Sequence, residues 1–153
     1  ISENVLNETS QILDQTIDFL KVTFPAVFLC VGTIVASINF YFSTMVLNRL
    51  GYNYSSFISV RTVKFPKLLA IVYIISIIFN STILGKNLFV ISSFLIILEG
   101  LAVVYYYLLN FNINKAFIRG LAVTLLFIPL LNQLILLMGF LDLWIDFRKL
   151  DKS

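Results

Sequence analysis

Twenty-six consecutive residues, Val22 to Leu47, carry no charge. About 20 apolar residues cross a hydrocarbon core of about 30 Å, so this run is long enough to span a bilayer with residues to spare. The rest of the chain points the same way. Of the 153 residues 59% are hydrophobic and 12% are charged, against about 25% charged in a typical soluble domain. That balance excludes a soluble globular domain and a disordered tail. A single cysteine, Cys30, excludes an internal disulfide, and the absence of histidine excludes imidazole metal ligands and imidazole bases.

The pattern reads as an all-α membrane protein, a polytopic helical bundle. Four transmembrane helices are expected, with an N-terminal amphipathic helix and a C-terminal interfacial segment. In residues 1–21, Val5, Leu6, Ile12, Leu13, Ile17 and Leu20 recur at helical spacing, with Glu3, Glu8, Asp14 and Asp18 between them. The acids make this helix a poor match for anionic lipid headgroups. Residues 22–153 form the bundle, with spans expected at about 22–47, 66–84, 88–109 and 117–141. Gly51 suits the position after the first span, with Arg49 at the negative end of the helix dipole. Gly32 and Ala36, four apart, form a small-xxx-small pair that permits close helix contact in lipid. Gly85-Lys86-Asn87 reads as a turn with Asn87 as N-cap. Pro129 is expected to kink the fourth span, and Gly139 is a candidate break. Trp144, followed by Arg148 and Lys149, reads as an interface anchor. With residues 1–21 outside, six basic residues fall on the inner side and five on the outer, so charge fixes no orientation. A bias to isoleucine and asparagine suggests an AT-rich bacterial genome. The chain begins with Ile1 and reads as part of a longer protein.

Glu99 interrupts the third span. A carboxylate at a helix centre costs about 2.5–3.5 kcal/mol on insertion scales, so it is expected to face the bundle and be paired or protonated. If the next helix runs antiparallel across the short turn at 110–114, Asn132 and Gln133 come to its depth. The expected ligand-binding cluster is therefore Glu99, Asn132 and Gln133, with Asn80 nearby. Two readings stay open: a cavity for a small polar solute or a proton, and a carboxyl hydrogen-bonded across helices for packing, a bond worth about 0.6 kcal/mol on average. Arg61, Lys64, Lys67, Trp144 and Arg148 are candidates for contact with a partner or with lipid. Cys30 is read as a small packing residue, and Tyr105, Tyr106 and Tyr107 as part of an aromatic belt.

No phosphate-binding loop, nucleophile elbow or zinc-binding helix motif occurs. No catalytic residues, metal or cofactor are therefore expected, and the chain reads as a non-enzyme. No extramembrane segment is large enough to bind nucleic acid. Membrane lipids and other membrane subunits are the expected partners, with the small-molecule ligand unnamed.

Three stretches resemble the YybS-like family of uncharacterised bacterial membrane proteins. They are the Arg49-Leu50-Gly51 span end with the basic Arg61 to Pro66 segment, the Glu99 to Tyr105 run EGLAVVY, and the Gly139 to Lys149 run GFLDLWIDFRK. The resemblance covers roughly residues 20 to 150 and implies similarity to the C-terminal half of longer members. That family is distantly similar to the substrate-binding S components of energy-coupling-factor transporters. The family pattern has Gln where this chain has Glu99, which favours hydrogen bonding there over proton relay. The resemblance implies a multi-pass cell-membrane protein of transport type that binds or moves a small solute. The alternative is a scaffolding membrane protein that docks a cytoplasmic partner.

Overall fold

A computed structural model describes residues 3–52, 63–109 and 128–148. Four helices make up the described chain, and no strand occurs among the described residues. They are α1 (Glu3–Arg49), α2 (Leu68–Ile78), α3 (Ile83–Leu108) and α4 (Pro129–Ile145).

Helix α1 has 47 residues. At 1.5 Å per residue it is about 70 Å long, more than twice the hydrocarbon thickness. The boundary expected near residue 21 is not a break, because one helix runs through it with Pro25 inside. Every side chain from Asn7 to Lys21 is exposed, so this first part of α1 stands clear of the bundle as an arm. Below it, Thr23, Ala26 and Thr44 are buried and Cys30 and Ser37 half-buried, a stripe of small residues at three-, four- and seven-residue spacings. Gly32 and Ala36 lie off this stripe. Both are exposed, and a Cβ on Gly32 would meet nothing within 4 Å. The small pair expected to seat a neighbour therefore seats none among the described residues. At the far end Gly51 takes φ +93, and the Tyr52 N–H reaches back to the Leu47 carbonyl at 3.1 Å. Glycine adopts that left-handed geometry without a Cβ clash.

Helices α1 and α3 are long and apolar enough to cross a membrane. Helix α2 has 11 residues and α4 has 17, about 16 Å and 26 Å of rise. The turn between α2 and α3 is earlier than expected. Thr82, not Asn87, is the N-cap, and its hydroxyl accepts the Gly85 N–H at 3.0 Å. A Cβ on Gly85 would overlap the Phe79 carbonyl, so the tight turn requires glycine there. Asn87 lies inside α3 and serves another purpose, described below.

Pro129 does not kink a continuing helix. It occupies the first turn of α4, after Ile128 in an extended conformation, where its missing N–H costs nothing. Helix α4 packs on α3 through two glycines. A Cβ on Gly100 would overlap the Ile135 carbonyl, and one on Gly139 would overlap the Ile96 carbonyl and the Gly100 backbone. Gly139 is thus a contact, not a break. Ile96 and Gly100 meet Ile135 and Gly139 midway, and the Tyr107 hydroxyl lies 3.5 Å from the Phe147 carbonyl at the C-terminal ends. The close contacts pair Gly100 with Ile135 and Gly139 with Ile96, which sets the crossing of α3 and α4 beside Glu99 and leaves Gln133 exposed. The expected 117–141 span otherwise falls partly on residues 110–127, outside the described residues.

The core formed by this crossing is Ala70, Ile96 and Leu143, flanked by Phe65, Leu69, Tyr73, Leu136 and Phe140. Tyr73 links three helices, with ring centroids 5.7 Å from Phe89 and 5.9 Å from Phe140. Close glycine contacts leave no room to relax. Gly100→Val and Gly139→Val are each expected to destabilise the detergent-solubilised protein by about 1–3 kcal/mol or more. Gly32→Ala should stay within about 0.5 kcal/mol. Thermal unfolding followed by circular dichroism checks all three.

Candidate functional site

Glu99 is fully buried, as a carboxylate in a span must be to avoid lipid. Its partners are not the amides of α4 but a guanidinium and a backbone N–H. Arg148 Nη2 donates to Glu99 Oε1 and, at 2.7 Å, to Asp142 Oδ2, while Arg148 Nε donates to the same Asp142 oxygen at 3.0 Å. Arg148 Nη1 donates to the Val63 carbonyl at 2.7 Å. The Phe65 N–H donates to Glu99 Oε2 at 3.0 Å, and the Phe147 N–H to Asp142 Oδ1 at 2.8 Å. The side chains of Glu99, Asp142 and Arg148 have no solvent exposure.

Local chemistry explains how a residue beyond α4 returns to its side. Asp146, the C-cap, is the one described non-glycine residue with positive φ, at 52 with ψ 63. Aspartate tolerates this left-handed conformation better than most residues. The turn brings the Phe147 N–H onto Asp142, one helical turn back, and directs Arg148 inward. Lys64 and Asp146 pair at 2.9 Å at the edge of the cluster, each about one-sixth exposed. The segment 63–66, the middle of α3 and the end of α4 are thereby tied together by charge-assisted hydrogen bonds, which are about twice as strong as neutral ones.

The other candidates separate. Asn132 is half-buried on α4; its side-chain oxygen is enclosed and has no hydrogen-bond partner among the described residues. Gln133 is exposed, and Asn80 is exposed in the turn after α2, so neither joins Glu99. Lys67 is exposed at the start of α2, and Trp144 is half-exposed on α4. Arg148, expected at a lipid or partner surface, is instead interior, and Lys64 is engaged by Asp146. Arg61 lies outside the described residues. Sequence reasoning missed Asp142 as a site residue. The signal was available: an acid in an apolar helix, six residues before an arginine, needs a cationic partner as much as Glu99 does.

The elements among the described residues are all helices, and two of them are long and apolar enough to cross a membrane. The chain belongs to the DUF2232 family of predicted membrane proteins, whose pattern matches residues 1–143. Glu99 and Asp142 fall within the match, and Arg148 lies beyond it. No curated protein and no solved structure matches the chain.

Removing one member of a buried ionic cluster strands the others. Arg148→Met and Glu99→Met are each expected to cost about 3–5 kcal/mol, whereas replacing Glu99, Asp142 and Arg148 together by apolar residues should cost far less. Lys64→Ala, at the partly solvated edge, should cost no more than about 1 kcal/mol. Denaturant unfolding of the four variants in one detergent makes the comparison.

Proposed function

We propose that this chain is a non-enzymatic, multi-pass component of a bacterial cell membrane, of transport type. Its small-solute site is bounded by Glu99, Asp142 and Arg148, with Asn132 as a further polar contact. The observation that carries this reading is the burial of three ionisable side chains among apolar helices. Apolar replacements of a buried ion cluster are often neutral or stabilising, so stability alone gives little reason to keep one. Intramembrane ionisable groups commonly mark solute or proton pathways. The resemblance to the YybS-like family, and through it to the S components of energy-coupling-factor transporters, supports the same class. In this reading the Arg148 cluster is an ion-pair gate: a solute that offers its own charge competes for one of the partners and opens the contact between segment 63–66 and α4.

The test is thermal unfolding of the solubilised chain with a panel of small solutes grouped by charge. One class is expected to stabilise it, by about 2.7 kcal/mol at a hundredfold excess over Kd. Glu99→Gln and Arg148→Lys should abolish that gain. A panel in which no class stabilises the native chain overturns the reading.

A scaffolding role has one observation in its favour, the fully exposed arm of α1, whose Ile12, Leu13, Ile17 and Leu20 are each about half exposed or more. It would be supported by a reproducible soluble partner that is lost on charge reversal at Glu8 and Asp14.

A further inference from the structure

The backbone ladder of α1 is disturbed where the arm joins the span, and four observations converge there. Pro25 has no N–H, so the Lys21 carbonyl loses its donor four residues on. The next rung, from the Ala26 N–H to the Val22 carbonyl, is bridged by a side chain from α3. Asn87 Nδ2 donates to the Val22 carbonyl at 2.9 Å, and Asn87 Oδ1 accepts the Ala26 N–H at 3.1 Å. The second Nδ2 hydrogen goes to the Ile83 carbonyl at 2.9 Å, so the carboxamide uses both of its N–H groups and its oxygen. One turn earlier, the Thr23 hydroxyl donates to the Phe19 carbonyl at 2.7 Å, a side-chain bond of the kind that bends helices. Thr23 and Ala26 are buried at this contact, while the arm above it is exposed.

We propose that residues 21–26 of α1 are a hinge and that Asn87 is its pin. A side chain inserted beside a proline is one of the few physical causes of a helix bend. Here the inserted group belongs to another helix, so the direction of the arm is set by α3 and not by α1 alone. With Asn87 in place the Val22 carbonyl and the Ala26 N–H keep a partner when the rung between them opens. Without it they have only each other, next to the rung that Pro25 removes, and the arm samples several directions. The inserted amide thus makes one orientation of residues 3–21 the stable one. This inference is independent of any solute at the Glu99 cluster.

Distance measurement between spin labels tests it on the full chain in lipid nanodiscs, in a Cys30→Ser background. Labels are placed at Glu8→Cys on the arm and Tyr107→Cys on α3, both exposed positions. One narrow distance distribution is expected with Asn87 present. Asn87→Leu and the smaller Asn87→Ser should both broaden it. Adding Pro25→Ala to either should narrow it again at a different distance, because the rung to the Lys21 carbonyl can then form. Hydrogen exchange gives a second readout, with the Ala26 amide expected to exchange at least about tenfold faster in the Asn87 variants. An unchanged distribution and unchanged Ala26 exchange in both Asn87 variants would overturn the proposal. So would a double variant as broad as the single one.

Discussion

A guanidinium removed from water must find its acceptors inside the protein, and Arg148 finds them on three separate pieces of chain. Glu99 belongs to α3, Asp142 to α4 and the Val63 carbonyl to the segment leading into α2. Each acceptor is itself fixed: Glu99 by the Phe65 N–H, Asp142 by the Phe147 N–H. No one of these bonds explains the arrangement. Their joint satisfaction does, because a buried polar network with one member unpaired is worse than an apolar core. The cluster therefore specifies which ends of which helices meet, a task that the surrounding isoleucines and leucines perform poorly because they pack acceptably in many registers.

The cluster in turn depends on glycine. Glu99 and Asp142 can share one guanidinium only if α3 and α4 approach closely, and the closest approach is at Gly100 and Gly139, where each backbone lies against the other helix. Gly100 follows Glu99 directly, and Gly139 is three residues before Asp142. The approach and the ion pairs thus occupy neighbouring turns of the same two helices. In lipid, helix association draws on van der Waals contact and polar bonds rather than on expulsion of water, and here both act within one short stretch.

What could be read from the sequence divides along the same lines. Charge-free length identified α1 and α3, and the cost of a buried carboxylate correctly placed Glu99 in the interior. Gly51 was legible because only a left-handed residue ends that helix. The partner of Glu99 was not legible, because it lies beyond the end of α4. Pro129 is compatible both with a kinked span and with the first turn of a new helix, and local sequence does not choose between them. Arg148 reaches Glu99 past the left-handed turn at Asp146, which no hydrophobic pattern announces. Likewise, Gly32 and Gly139 are equivalent in local sequence terms. Which of them meets a neighbour is decided by tertiary contacts that no window of sequence contains.

Asn87 shows why polar residues in such a chain resist assignment by local rules. Its position before an apolar run matches a helix cap, yet Thr82 caps the helix and Asn87 bonds to α1 some sixty residues away in sequence. An amide has two N–H groups and an acceptor oxygen, so Asn87 bonds to both sides of a rung of another helix and still has a hydrogen for the Ile83 carbonyl of its own. The same accounting applies to Glu99 and Arg148. In apolar surroundings each polar group is placed by the complete set of partners it can reach, so its role is fixed by the bundle, and the bundle is held in register by those few groups.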